Sequence, residues 1–361
     1  MTMNLSRIKR WILLGHRWLG IGTCLLFFLW FLSGVVMMYV GHPKLTWQER
    51  LEHLPPLEAS QPLLSPADAF QRAGIQGTVT DLRLANARAG QPVYIARIRP
   101  DTRPAPDAPQ PDPRLVALDA RTGALLPPTD PATALASAQA YLEQAGLSHP
   151  SSSGTPPAAS PRQPSPATAQ DTPGKPLYQG VTVEDAHTHS AAMDLHRPLH
   201  KVLLPDAEQT LLYISGTTGE VVRDAPRLER GFNYLGAWLH WLYLFRDTAI
   251  DWTDLIIWLS VIGTVATLSG FLSGIIRWRF SRPYRSGSRS PFAPGALRWH
   301  HILGLVFALT TFTWIFSGLM SMNPWDIFEA DESIIDTRRI SNPDIQPSRA
   351  IATPQALLAS T

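Results

Sequence analysis

The chain has 361 residues, a mean hydropathy near zero and a formal net charge of +2 at pH 7, which gives no argument for a nucleic-acid partner. Its length allows two or three domains, and its single cysteine, Cys24, excludes an internal disulfide and a thiol-based metal cluster. The average hydropathy hides a few almost purely apolar segments within a polar remainder that is rich in proline.

The N-terminal part of the chain is predicted to cross a membrane. Residues 1–11 form a short basic N-terminus, and residues 12–40 form transmembrane helix 1, which has no charged residue from Leu19 to Val40. About 20 such residues span the hydrocarbon core of a bilayer. The run is longer than the apolar part of a cleaved signal peptide and ends in bulky residues, so we expect an uncleaved helix.

Residues 41–149 have the alternating patterns and capping residues of a folded α+β unit. The predicted elements are a helix over 65–74 capped by Ser65, strands over 78–85 and 91–98, a strand, turn and strand over 114–126, and a second capped helix over 130–145. Residues 150–176 follow as a Pro/Ser/Ala-rich linker, which is predicted to be disordered because it cannot bury enough apolar surface.

The pattern then recurs in residues 177–232. Strands are predicted over 197–204 and 209–222, the second interrupted by a turn from Ser215 to Gly219. The region from 41 to 232 therefore reads as two related units, each with a helix followed by hairpin strands.

The rest of the chain returns to the membrane. The predicted segments are an interfacial aromatic segment (233–250), transmembrane helix 2 (251–276), a basic loop (277–299), transmembrane helix 3 (300–322) and a tail (323–361). Small residues such as Gly263, Gly270 and Gly274 predict close helix packing in the second span.

Basic residues predict the orientation of the spans. Arg7, Lys9 and Arg10 precede the first span, and the loop 277–299 has six arginines and no acidic residue. The positive-inside rule places both regions in the cytoplasm. The N-terminus is then cytoplasmic, and 41–250 and the tail lie outside, in the periplasm of a bacterium whose inner membrane holds the spans.

Several motifs resemble a known family. SPADA, PVYIARI, DARTG and SGTTGEV are similar to PepSY domains, and the spans that start with HRWLG and WHHILG resemble the PepSY-associated transmembrane family. This resemblance covers nearly the whole chain and implies haem b, expected as two haems, and electron transfer across the inner membrane, as in bacterial ferric-siderophore reductases. Those reductases usually carry another membrane helix after the third, so the sequence is expected to be a shorter variant or a truncated one.

The first and third spans are an internal repeat. A shift of 284 positions aligns six identical residues: His16 with His300, Gly20 with Gly304, Trp30 with Trp314, Ser33 with Ser317, Gly34 with Gly318 and Met38 with Met322. Because both copies enter from the same side, the repeat is parallel and places His16 and His300 at one depth. Two facing imidazoles could ligate a haem iron, and the paired glycines predict an open surface beside them. The alternative is a pair of headgroup-level histidines bound to water or phosphate.

Seven other histidines carry weaker hypotheses. His301 could replace His300 as ligand or contact a propionate. The resemblance marks His240 as ligand of an outer haem, whose second ligand stays open among His42, Met37, Met38, Met320 and Met322; the alternative is an interfacial histidine. The cluster of His187, His189, His196 and His200 has metal-like spacing, but no such site is predicted beyond haem iron, because the side chains would point in different directions.

The fold class predicted is a membrane α-helical bundle of three transmembrane helices with a periplasmic α+β region of PepSY-like units. The predicted function is a haem b oxidoreductase that passes electrons from a cytoplasmic-side donor to a periplasmic ferric siderophore or other iron chelate. One alternative is a non-enzymatic PepSY membrane protein that binds or restrains a periplasmic protease or partner. Another is a subunit of a metal or siderophore transporter.

Overall fold

A computed structural model of the chain describes residues 5–100, 113–148, 174–246, 248–328, 345–350 and 352–359. Its α-helices are α1 (Leu5–Tyr39), α2 (Trp47–Glu52), α3 (Pro66–Ala73), α4 (Pro131–Ser148), α5 (Arg227–Asn233), α6 (Trp252–Arg277), α7 (Ala296–Val306), α8 (Ala308–Ser321) and α9 (Pro354–Leu358). Its strands are β1 (Thr78–Arg88), β2 (Gln91–Arg99), β3 (Arg114–Asp119), β4 (Leu177–Thr182), β5 (Leu199–Leu203), β6 (Leu211–Ser215) and β7 (Val221–Ala225).

The chain divides into two compact units. The helical unit consists of Met1–Gly41 and Tyr234–Asp336, and the sheet unit consists of His42–Asn233 and Thr337–Thr361. The predicted linker lies outside the described residues apart from 174–176, as do residues 329–344, 351, 360 and 361 of the predicted tail.

The helical unit has the apolar helices that the sequence predicts. Helices α1 and α6 are each long and apolar enough to cross a membrane, and α7 with α8 makes a third candidate if the pair is one span. Many apolar side chains of these helices are exposed, as suits a lipid-facing surface. The fold is therefore compatible with a membrane protein that has two or three spans.

Helix α6 lies at the centre of the packing, in contact with α1, α7 and α8. Asp251 is its N-cap, and the Asp251 carboxylate accepts hydrogen bonds from the amides of Thr253 and Asp254. A Cβ built on Gly263 would lie 3.1 Å from the ring of Phe27, and one on Gly274 would lie 2.7 Å from Leu305. The predicted role of small residues in close packing is confirmed at these two positions.

The third predicted span differs from the expectation of one continuous helix. It is broken at Phe307, which has φ −99° and ψ 3°, and the two halves are bent by 67°. The aligned position in the first copy of the repeat is Thr23, inside the continuous helix α1. The repeat therefore conserves residue types without conserving the helix axis.

The sheet unit contains two antiparallel sheets, each covered by a helix. The first has the order β1–β2–β3 and packs Phe70 of α3 against a core that includes Tyr94 and Leu118. The predicted capped helix is confirmed, because the Ser65 hydroxyl accepts from the Asp68 amide and Gly74 ends the helix at φ +61°.

The second sheet has the order β4–β5–β6–β7. Ala138 and Tyr141 of α4 pack against its core, which includes Leu212 and Ile214. The sequence analysis placed α4 in the unit 41–149. In the structure α4 covers the second sheet, because its apolar residues pack against the core of that sheet. Strand β4 was not predicted, and the predicted strand after the Asp119 turn is a single bridge between Leu118 and Leu125.

Candidate functional site

The repeated histidines come together in the helical unit. The ring centroids of His16 on α1 and His300 on α7 are 6.3 Å apart, with 20° between the ring planes. His16 is partly buried and His300 is exposed. The two histidines that the repeat aligns therefore lie side by side.

Helix α6 orients the ring of His16. The Nδ1 atom lies 3.2 Å from the carbonyl oxygen of Ala266, which can only accept, so Nδ1 carries the proton. The Nε2 lone pair of the neutral ring then remains available as a ligand. A Cβ built on Gly270 would lie 2.7 Å from His16 Cε1, so only glycine leaves room for this ring position.

The glycines one turn after each histidine face open space. No atom lies within 4 Å of a Cβ built on Gly20 or on Gly304, apart from neighbouring backbone. This confirms the predicted open surface beside the His16–His300 pair. A flat group could approach the helix backbone there without a side chain in its path.

His301 has a structural role that makes it unsuitable as a ligand. It is 7% exposed, its Nε2 donates to the Gly274 carbonyl oxygen at 3.0 Å, and its Nδ1 accepts from the Ser290 hydroxyl at 2.8 Å. Both ring nitrogens are thus occupied, and the rings of Trp278 and Phe292 pack edge-on against it. The hypothesis that His301 could replace His300 is wrong for this geometry.

A second histidine site lies in the same unit, around His240. The chain enters it through a π-helix, Tyr234–Trp238, a geometry that is frequent at functional sites. A Cβ built on Gly236 of this π-helix would lie 3.1 Å from Met37, so glycine permits its close approach to α1. The sequence analysis did not predict this irregular helix.

The ring of His240 is held by α1. Its Nδ1 lies 3.1 Å from the hydroxyl oxygen of Ser33 and 3.2 Å from the carbonyl oxygen of Trp30. The Ser33 hydroxyl donates to the same carbonyl, and the Trp30 indole donates to the His240 carbonyl at 2.7 Å. Nδ1 therefore carries the proton, and Nε2 is the ring nitrogen left for a ligand, as in His16.

His240 lines an apolar cleft of about 120 Å³ between the helices. Aromatic side chains form much of its wall, and Met322 of the second repeat copy also lines it. The lining residues are Phe27, Trp30, Phe31, His240, Trp241, Ile256, Ser260, Trp314, Ile315, Gly318, Ser321 and Met322. Among the sulfur candidates, Met38 is 71% exposed and Met37 packs against Gly236, which favours Met322.

His42 belongs to the sheet unit and is engaged there. Its Nδ1 lies 3.2 Å from Nη1 of Arg223, which can only donate, and 3.3 Å from the carbonyl oxygen of Pro43, which can only accept, so Nδ1 has a partner in either tautomer. Nε2 is buried. Burial lowers the pKa of His42, and the Arg223 charge lowers it further. Neither nitrogen is available to a metal in this arrangement, so the structure argues against His42 as a ligand.

The four clustered histidines of the sheet unit have separate partners. His187 pairs with Asn233, His189 with Glu184, His196 with Ser215, and His200 with both Tyr178 and the Thr129 carbonyl. Within the described residues, no group of three or more His, Cys, Asp or Glu side chains could hold a metal ion. These histidines therefore act through hydrogen bonds between elements.

A buried carboxylate that the sequence analysis missed organises the sheet unit. Glu220 is 2% exposed and pairs with Arg50 at 2.9 Å and with Arg83 at 2.5 Å. Burial alone would raise the pKa of Glu220, but the two arginines outweigh it and hold the pKa below its ordinary value. Its place directly after the predicted turn at 215–219 gave no sign of burial.

Similarity to known proteins does not assign a function to these sites. Comparisons of the chain with protein-family models, with curated proteins and with solved structures gave no match. The two sites share one geometry, in which Nδ1 is bound to a backbone carbonyl and Nε2 is left for a ligand. That geometry suits metal ligation by a neutral imidazole.

Proposed function

We propose that this protein is a membrane electron-transfer protein that holds haem b between His16 and His300. The observation that carries the proposal is the convergence of two histidines from matching positions of a sequence repeat, with ring centroids 6.3 Å apart and nearly parallel ring planes. Histidines that merely lie at the membrane interface need not occupy matching positions of a repeat. They also need no hydrogen bond like that from His16 Nδ1 to the Ala266 carbonyl, which leaves the Nε2 lone pair available.

The centroid distance of 6.3 Å equals the value that one metal ion requires when it lies between two Nε2 atoms that face each other. With metal–nitrogen distances of about 2.0–2.1 Å, two opposed imidazoles have ring centroids roughly 6.3–6.5 Å apart. The open space beside Gly20 and Gly304 supports a flat macrocycle there. A bound haem would supply reversible one-electron chemistry, while the chain's own part is to orient the two imidazoles.

We propose His240 as a ligand of a second haem, with Met322 as the candidate for its other ligand. His240 offers Nε2 beside the aromatic cleft that Met322 also lines. A histidine–methionine pair is a known type of haem ligation. The copies of the repeat would then contribute to both sites, since Trp30 and Trp314 line the cleft together.

The proposed setting is the inner membrane of a bacterium. The basic N-terminus and the loop 277–299 would face the cytoplasm and an electron donor there, by the positive-inside rule. The sheet unit, in which each sheet is preceded by a capped helix, would lie in the periplasm as two PepSY-like units. Ferric siderophore or another iron chelate is the proposed acceptor, on the strength of the motif resemblance.

An absorption spectrum of the purified protein tests the proposal. Protein expressed with adequate haem supply should show a sharp b-type band after dithionite, and His16→Ala and His300→Ala should each remove the same haem. Trp299→Phe is the matched control, because it alters the exposed residue next to His300 on α7 and should leave haem content unchanged. The absence of haem from the folded wild type would contradict the proposal.

His240→Ala separates electron delivery from haem capture at the other site. This variant should keep the haem held by His16 and His300 and lose the reduction of a ferric chelate added on the proposed periplasmic side. If haem is absent altogether, the non-enzymatic alternative, in which PepSY-like units bind a partner, or the transporter-subunit alternative would be favoured instead.

A further inference from the structure

The segment between α6 and α7 carries a strong, uncompensated positive charge. It contains Arg277, Arg279, Arg282, Arg285, Arg289 and Arg298, and it has no acidic residue from 277 to 299. No arginine of this segment pairs with a carboxylate of the described residues. We call residues 277–299 the arginine loop.

The arginine loop is folded rather than extended. The Arg279 amide donates to the Arg289 carbonyl oxygen at 3.0 Å, and the Tyr284 amide donates to the Ser288 carbonyl oxygen at 2.8 Å. The Tyr284 hydroxyl donates to the Arg277 carbonyl oxygen at 2.9 Å, which closes the turn onto the end of α6. The guanidinium groups therefore project from a defined backbone.

His301 fastens the arginine loop to the helices. Through Ser290 it holds the second half of the loop, and through the Gly274 carbonyl it holds the last turn of α6. Orientation by the positive-inside rule needs only charge and no such fixed geometry. The buried His301 contacts fix the positions of the arginines, and fixed positions point to a binding role for the loop.

The arginines divide into anchored and available ones. Arg277 lies over the ring of Phe292 and Arg279 lies over Tyr284, at 5.5 Å and 4.1 Å from the ring centroids. Arg282 and Arg285 are exposed, and no ion pair within the described residues engages them. A guanidinium group in this position can bind the oxygens of a phosphate with two parallel hydrogen bonds.

Exposed apolar side chains flank the charged group. Phe280 is 64% exposed, Leu297 67% and Trp299 63%. Such side chains beside arginines are typical of the boundary between headgroups and acyl chains. A soluble anion would need the charge but would gain nothing from this apolar rim.

We infer that the arginine loop binds the phosphate of anionic phospholipids such as phosphatidylglycerol, with Arg282 and Arg285 as the main contacts. Basic clusters that directly follow a membrane helix attract anionic lipid headgroups. The apolar rim favours a lipid over free phosphate, which offers the same chemistry without acyl chains. This inference does not require haem at either histidine site.

Native mass spectrometry of the full detergent-solubilised chain tests the inference with phosphatidylglycerol and phosphatidylcholine as the two lipid probes. The wild type should bind phosphatidylglycerol preferentially, and Arg282→Gln/Arg285→Gln should weaken that binding by roughly 30-fold, from about five- to sixfold per charge. Lys9→Gln/Arg10→Gln is the matched control, since it removes two exposed charges before the first span and should have little effect.

Three results would overturn the inference. Equal binding of both lipids by the wild type would exclude recognition of the anionic headgroup. Equal losses in the loop variant and in the Lys9/Arg10 control would reduce the effect to general surface charge. Displacement of the lipid by millimolar inorganic phosphate, with no help from acyl chains, would assign the site to a free anion. Unchanged circular dichroism and elution volume show that each variant is folded.

Discussion

The histidines of the two candidate sites differ from most histidines of the sheet unit in their hydrogen-bond partners. In the sheet unit, His200 uses both ring nitrogens, and His42, His187 and His196 bridge to side chains of other elements. In the helical unit, His16 and His240 each bind a backbone carbonyl through Nδ1 alone. Histidine thus links elements within the sheet unit, whereas His16 and His240 keep the Nε2 lone pair available.

The comparison also shows where sequence spacing misleads. The four histidines between 187 and 200 have the spacing of a metal site, yet each side chain contacts a different partner. His16 and His300 are separated by 284 positions and lie together because a repeat places them on helices that both contact α6. His301, next to His300, follows the pattern of the sheet unit and binds through both nitrogens.

His200→Ala should give the largest loss of stability and leave the haem untouched. His200 is 4% exposed, and its removal leaves the Thr129 carbonyl without its donor inside the sheet unit. We expect the free energy of unfolding of that unit to fall by about 2–4 kcal/mol. Chemical denaturation followed by circular dichroism measures the loss.

Lys201→Ala is the control for this variant, because Lys201 follows on the same strand and makes only a partly exposed ion pair with Asp185. It should cost about 1 kcal/mol or less. Loss of haem from folded His200→Ala protein would contradict the division into structural histidines of the sheet unit and proposed haem ligands of the helical unit.

Gly270→Ala should displace the His16 ring although the variant replaces no histidine. The added Cβ would meet His16 Cε1 at 2.7 Å, so α1 and α6 must separate or the ring must turn. Such overpacking costs about 1–3 kcal/mol, and we expect lower haem content at the His16–His300 site. Gly22→Ala is the control, because nothing lies within 4 Å of its added Cβ; equal haem content in both variants would contradict the role of Gly270.

Ser33→Ala and Ser317→Ala test two residues that the repeat aligns but the structure uses differently. The Ser33 hydroxyl is fully buried beside His240 Nδ1, whereas Ser317 is exposed and bonds only to the Trp314 carbonyl of its own helix. We expect a loss of about 1 kcal/mol for Ser33→Ala and almost none for Ser317→Ala. Thermal unfolding of the purified variants compares them, and equal shifts would mean that Ser33 does not position His240.

Local sequence signals predicted much of the fold. Uncharged runs predicted α1 and α6, and the capping residues Ser65 and Asp130 predicted the starts of α3 and α4. The turn at Ser215 was also predicted, and its hydroxyl accepts from the amides of Thr217 and Thr218. These features depend on residues close together in the chain, so their patterns are visible in the sequence.

Tertiary contacts account for what the sequence did not predict. The bend at Phe307 has no proline or glycine at the break that would predict it. Helix α4 packs on a sheet whose strands come after a long segment outside the described residues. The role of Gly270 depends on a side chain 254 positions away. The repeat identified His16, His300 and Ser33, but only the packing distinguishes their partners from those of His301 and Ser317.

The pH dependence of the sheet unit should follow from two groups with opposite effects. Burial is the main cause that lowers the pKa of His187 from 6.5 to about 4, and burial with the nearby Glu49 raises that of Asp224 from 3.8 to about 6. As the pH falls from 6.5 to 4, His187 binds a proton in the unfolded chain but not in the folded unit. This difference lowers the free energy of unfolding. Over pH 6 to 4, the folded unit binds a proton at Asp224 that the unfolded chain lacks, which raises stability.

Two variants separate these contributions, because each changes one group and keeps the remaining titrating groups. Asp224→Asn should make stability fall more steeply than in the wild type as the pH drops from 6 to 4, by up to about 1.4 kcal/mol per pH unit. His187→Gln should make the fall shallower over the same range. Urea unfolding at several pH values measures both slopes. If the slopes change in the opposite order, the histidines of the sheet unit are not held neutral by burial, and their contrast with His16 and His240 would then concern hydrogen bonds alone.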